Sequence, residues 1–232
     1  MVPVVTARDG ASRRRRLLLQ ALLTASLALA GGVTCRVVAT QSADLTNLVW
    51  NLFLAWIPFV LALALYDCAR RSATRATLVA LGVTWLLFLP NAPYIATDVI
   101  WLGDLASGTH WHDPLLIAAA AGLGLVLGFL SLYLVQAVVA ERLGHVAGWT
   151  VAMAALVLSG LGVYLGRYER WNSWEVVTEP SKIFNGLATG LLDPLAYPRP
   201  LALSAFFAVA CCAGYAVFYS FFRPHLRRLE ER

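Results

Sequence analysis

The chain has 232 residues and a mass of 25.2 kDa, with 59% apolar and 13% charged residues and a mean hydropathy of +0.69. Soluble domains carry about 25% charged residues, so roughly half the usual share is missing. It is missing in blocks, which excludes a soluble domain, a disordered chain and a nucleic-acid binder.

Six windows contain no Asp, Glu, Lys or Arg: 17–35, 45–66, 76–97, 114–140, 143–166 and 200–222. Crossing ~30 Å of hydrocarbon takes roughly 20 apolar residues in a helix, and each window meets that length. Strands of a membrane barrel would alternate over about 10 residues, and these windows do not alternate. The expected fold is all-α: a single integral membrane domain spanning 1–232. Its six transmembrane spans lie at about 17–38, 45–66, 76–95, 114–139, 146–166 and 200–222.

The first window follows the basic run Arg13–Arg16 and contains Ala28-Leu29-Ala30, which resembles a signal peptide. Its apolar stretch runs on to Val37 and Val38, longer than a signal needs, so an uncleaved anchor is expected. The N-terminus, the turns after spans 2 and 4, and the C-terminal tail hold 13 of the 18 basic residues, all of them arginine. The opposite side holds Arg36, Arg167, Arg170, Lys182 and Arg199. By the positive-inside bias both termini are cytoplasmic, and the arginine-poor face is extracytoplasmic. That bias also accounts for the net charge of +5 without a nucleic-acid partner. A multi-pass protein of the bacterial inner membrane is the expected address, with the lipid bilayer as its environment.

Polar residues collect at the arginine-poor face. In span 2, Asn47 and Asn51 are one helical turn apart, with Asn51 ~9 Å inside the window. Pro58, further along, leaves the carbonyl of Leu54 without its intrahelical donor. Span 3 ends in Pro90-Asn91-Ala92-Pro93-Tyr94. Two prolines three apart remove two amide donors and should push the preceding residues out of helical geometry. The resulting irregular turn would present Asn91 and Tyr94, followed by Thr97 and Asp98.

The next loop carries Asp98, Asp104, His110, His112 and Asp113. His-x-His with carboxylates suits several divalent ions, but the carboxylates are scattered and no metal site is assigned. Asp113 before Pro114 reads as the N-cap of span 4. No cofactor is indicated. The four cysteines fit neither a zinc spacing nor a disulfide framework.

Span 5 runs out through Tyr164 and Gly166 into Arg167-Tyr168-Glu169-Arg170-Trp171-Asn172-Ser173-Trp174. Arginine offers a planar fork that matches phosphate or carboxylate. The same residues also suit an interfacial aromatic belt whose arginines are neutralised by Glu169, Glu175, Asp98 or Asp113. Within the extracytoplasmic loop 167–199, the apolar stripe between Pro180 and Pro194 suggests an interfacial amphipathic helix too short to cross. Gly124-x-x-x-Gly128 and Gly162-x-x-x-Gly166 permit close helix approach, but an antiparallel hairpin puts them at different depths. Ala118–Ala121 are better placed against Gly162.

With Asn51-Leu52-Phe53-Leu54-Ala55-Trp56-Ile57-Pro58, Leu89-Pro90-Asn91-Ala92-Pro93-Tyr94, Gly128-Phe129-Leu130-Ser131-Leu132-Tyr133 and Tyr164-Leu165-Gly166-Arg167 through Trp171-Asn172-Ser173-Trp174, the chain resembles the DUF1361 family over roughly residues 45–180. These are polytopic bacterial membrane proteins of about this length with no assigned function. The resemblance implies a membrane address and no activity. Trp101 stands where the family often has histidine, and His112 where it has an aromatic residue, which weakens the metal reading further.

Three functions fit these residues. In the leading one, the arginine-poor face binds or processes an anionic or lipid-like envelope component. Arg167 and Arg170 hold the anion, while Asn51, Asn91, Tyr94, Trp171, Asn172 and Trp174 contact or orient it. Asp98 or Asp113 would act as the catalytic base. A small-solute transporter or channel would need a polar path through the inner half, where Ser131, Tyr133 and Gln136 are the available groups. A non-catalytic assembly factor would use the aromatic and arginine segment to contact another membrane protein.

Overall fold

The computed structural model describes residues 5–102, 112–168, 178, 181 and 198–230. All regular structure among them is helical. The order is α1 (Val5–Thr40), α2 (Thr46–Arg70), α3 (Arg75–Phe88), the one-turn α4 (Asn91–Tyr94), a 3₁₀ helix (Ile95–Leu102), α5 (Asp113–Leu143), α6 (His145–Tyr168) and α7 (Pro198–Glu230). Six stretches are long and apolar enough to cross a membrane: Arg13–Thr40, Thr46–Arg70, Arg75–Asp98, Asp113–Leu143, His145–Arg167 and Ser204–Phe222. They coincide one for one with the six charge-free windows. The protein is a multi-pass membrane protein. The amphipathic segment expected between Pro180 and Pro194 lies outside the described residues.

Helix ends follow local chemistry. The Thr74 hydroxyl accepts from the amide of Thr77 at 3.2 Å, capping α3. Gly144, at φ 94°, ends α5 and lets α6 start at the next residue, a conformation that favours glycine. Along α2, Leu48, Leu52, Ala55, Phe59, Ala62 and Leu65 recur every three or four residues and form its buried stripe.

The central helix is α5, which packs against α1, α2, α4, the 3₁₀ helix and α6, while α7 lies mainly along α6. Large apolar side chains such as Val79, Val83, Phe206, Val209 and Phe221 point outward, as a lipid-facing surface requires. Because lipid is as apolar as leucine, helices here gain by close packing and buried hydrogen bonds rather than by leaving water. Two such bonds tie the middle of the bundle together. The Trp85 indole donates to Ser131 Oγ at 3.0 Å, and the Tyr215 hydroxyl donates to the Gln136 side-chain carbonyl.

The end of the third span departs from expectation. Leu89 and Pro90 both stay in the right-handed helical region, at φ/ψ of −54°/−39° and −58°/−24°. The amide of Leu89 still bonds to Trp85 at 2.9 Å, but the amide of Ala92 reaches back only three residues, to Leu89, at 3.1 Å. The prolines therefore change the hydrogen-bond register and leave the chain coiled. Tertiary packing overrides the pre-proline preference, as it does in other proline-kinked helices.

That packing is visible at the glycines. A Cβ on Gly124 would lie 2.8 Å from the Ala92 carbonyl oxygen, and one on Gly128 would lie 2.9 Å from Ala92 Cβ. A Cβ on Gly162 would sit 2.6 Å from Pro90 Cβ and Cγ. The expected contact of Gly162 with Ala118–Ala121 is thus replaced by one with Pro90. The Pro90–Ile95 unit is wedged between α5 and α6, and glycines from both helices make room for it.

Candidate functional site

The wedge sets the geometry of the arginine-poor face. It carries Tyr94, Thr97 and Asp98 to the start of α2 and the end of α6. Asp98 receives two donors from two other helices: Asn51 Nδ2 on α2 donates to Oδ2 at 3.1 Å, and Arg167 Nη1 on α6 donates to Oδ1 at 3.0 Å. Arg167 Nη2 also donates to the Thr97 carbonyl at 3.4 Å. The guanidinium carbon lies 6.0 Å from the centroid of the Tyr94 ring, at the outer edge of a cation–π contact. Thr97, fully buried, donates its hydroxyl to the Tyr94 carbonyl at 2.6 Å, which ties the two residues to one rigid turn.

The Asp98–Arg167 pair is mostly buried but reachable, with side chains 12% and 15% exposed. In such a setting a single charge would be strongly disfavoured, and each partner offsets the desolvation of the other. Asn51 supplies a further donor to the carboxylate. Asn47, expected on the same stripe, is exposed.

A second pair on the same face has a different character. Asp113 is fully buried and faces Arg36 in a two-pronged contact, Nε to Oδ1 at 3.2 Å and Nη2 to Oδ2 at 3.1 Å. Arg36 is 5% exposed, donates Nη1 to the Ser42 carbonyl at 3.0 Å, and lies 4.0 Å from Asp44. His112 Nε2 is 3.6 Å from Asp113 Oδ1. The expectation that Asp113 caps span 4 is corrected. The helix begins at Asp113 itself, His112 takes the cap position without a side-chain bond, and the carboxylate is engaged by Arg36. A charge-assisted fork outweighs one cap hydrogen bond.

Of the residues assigned from sequence, Asn51, Tyr94, Asp98 and Arg167 meet. Asn91 does something else: its amide donates to the Phe88 carbonyl at 2.9 Å. That carbonyl is the one left without its usual partner when the Ala92 amide bonds to Leu89 instead, so Asn91 repairs the break made by the proline turn. Arg170, Trp171, Asn172 and Trp174, and the loop residues Asp104 and His110, lie outside the described residues. Arg36 was not assigned to the site. Its signal was its position: it closes window 17–35 at the face where Asp113 opens window 114–140.

A family model described as a protein of unknown function (DUF1361) matches residues 50–213. That range includes Asn51, Tyr94, Asp98, Asp113 and Arg167, and excludes Arg36. No curated protein and no solved structure matches the chain.

Proposed function

The chain belongs to the DUF1361 family, and we propose that its arginine-poor face is an extracytoplasmic site of a bacterial inner-membrane protein that binds an anionic, lipid-like envelope component at Arg167. The supporting observation is the contrast between the two arginine–aspartate pairs. Arg36–Asp113 is sealed and joined by a two-pronged contact, as befits a structural clamp. Arg167–Asp98 is reachable and joined end-on by one nitrogen, with the second nitrogen on a long 3.4 Å bond to a carbonyl.

A phosphate offers an arginine fork two oxygens and a full negative charge, so it can displace Asp98 as the counter-ion. Asn51 and Tyr94 then orient the ligand. A released Asp98 carboxylate, at the edge of the ligand, is the proposed base if a reaction follows. Arg170, Trp171, Asn172 and Trp174 continue the same stretch of sequence and complete the proposed binding set. A solute pathway has less support, because Ser131 and Gln136 are already bonded to Trp85 and Tyr215.

The test uses purified protein in detergent with dioleoyl phosphatidic acid as the probe, followed by native mass spectrometry. The tightest-bound equivalent on wild-type protein is expected to weaken by tenfold or more in affinity in Arg167→Ala. Hydrogen bonds to charged groups contribute ~1.5–3 kcal/mol, the size of that effect. Asp98→Asn, which removes the competing anion, tightens binding. Weaker binding in Asp98→Asn, or unchanged binding in Arg167→Ala, overturns the reading.

A further inference from the structure

The arginine-rich face is built in the opposite way. Its two described acidic side chains are already paired: Arg15 holds Asp67 through two bonds of 2.8 and 2.7 Å, and Arg70 lies 3.6 Å from Glu141. Arg142 Nη2 donates to the Ala69 carbonyl at 3.2 Å. These contacts draw the Arg13–Arg16 turn of α1 and the end of α5 onto the last turn of α2. Around that hub, Arg13, Arg14, Arg71 and Arg75 are exposed and their guanidinium groups have no partner among the described residues. On the other face, by contrast, Arg36 and Arg167 are both neutralised.

The free arginines sit directly above lipid-facing carbon. Arg13 and Leu17, and Arg75 and Val79, are each four residues apart and so share a helix face. Leu17 is 53% exposed and Val79 64% exposed. A guanidinium above an exposed apolar side chain at the end of a span matches a molecule with an anionic head and hydrocarbon tails. A soluble polyanion would gain nothing from Leu17 and Val79.

We propose that the rim formed by Arg13 and Arg14 of α1 with Arg71 and Arg75 of the α2–α3 turn is a binding surface for anionic phospholipid, the phosphodiester lying on the guanidinium forks and the acyl chains running down α1 and α3. The surface does not depend on the Arg167 site, and the two lie on opposite faces.

The test is electron spin resonance of the full chain reconstituted in phosphatidylcholine, with spin-labelled phosphatidylglycerol or phosphatidylcholine as the probe. Wild-type protein is expected to immobilise phosphatidylglycerol preferentially. In Arg71→Gln/Arg75→Gln and in Arg13→Gln/Arg14→Gln that preference falls, by about fivefold for each arginine removed. Arg71→Lys/Arg75→Lys, which keeps the charges that direct insertion, retains a preference for phosphatidylglycerol. Equal immobilisation of the two lipids by wild-type protein, or an unchanged preference in both Gln pairs, overturns the proposal.

Discussion

Arg36 and Arg167 each stand at the edge of an apolar window, and each is held by an aspartate at the edge of another, Asp113 and Asp98. Arg15 with Asp67 and Arg70 with Glu141 repeat the arrangement on the opposite face. Charges that end a span are stranded at the same depth, so they meet one another and not water alone. An intact buried pair contributes little net stability, whereas one partner left alone costs ~3–5 kcal/mol. Asp113→Ala should therefore destabilise the protein by ~3–5 kcal/mol in thermal unfolding in detergent, because Arg36 stays buried with only the exposed Asp44, 4.0 Å away, as its counter-ion. Arg36→Met with Asp113→Leu should recover most of that loss; a double variant as unstable as the single one would show that packing, not charge, holds this corner. Glu141, 58% exposed, should be replaceable by Gln at little cost, since solvent screens its pairing with Arg70. At this scale the sequence showed which charges share a face. It did not show which would be partners, because Asp98 and Asp113 both lie within reach of the same loop in sequence.

The Pro90–Ile95 unit is the element on which the candidate site depends, since it carries Tyr94 and leads into Asp98. Its seat is made of absences: Gly124, Gly128 and Gly162 leave room that a single methyl group would fill. Gly162→Ala and Gly124→Ala should each lower stability by about 1–3 kcal/mol, because the clashing atoms belong to a proline ring and a backbone carbonyl that cannot swing aside. Gly122→Ala, on α5 two residues from Gly124 and with nothing within 4 Å of the added carbon, is the control and should be neutral or slightly stabilising. Thermal denaturation of the three variants side by side checks this, and equal losses in all three would mean helix flexibility matters and not the seat. Glycine spacing and the two prolines were both legible in the sequence. That they fit each other was not, because the contact joins residues about 30 to 70 positions apart and local propensity is silent on it.

For the whole molecule, the sorting of charge predicts orientation as well as topology. All ion pairs among the described residues join groups on one and the same face, as six crossings require. In a cysteine-free background, Ala43→Cys sits in the exposed turn of the arginine-poor face and Ser72→Cys in that of the arginine-rich face. A membrane-impermeant thiol reagent added to intact cells should label Ala43→Cys alone, and both variants after lysis. Labelling of Ser72→Cys in intact cells would mean the opposite orientation.

The number of spans, their approximate places along the chain and the sorting of arginine between the two sets of turns were determined by the sequence alone, because burying an unpaired charge in hydrocarbon is so costly that charge-free length is a nearly sufficient signal. The tertiary structure decided everything that depends on which helix stands beside which. It paired Arg36 with Asp113 and Arg167 with Asp98, set Asn51 on that second carboxylate, and turned Asn91 inward to mend the backbone beside Pro90. It also placed the proline turn in a glycine seat shared by α5 and α6. Those choices come from close packing between apolar helices, where a methyl group more or less decides the neighbour, and no charge or hydropathy pattern along one chain records that fit.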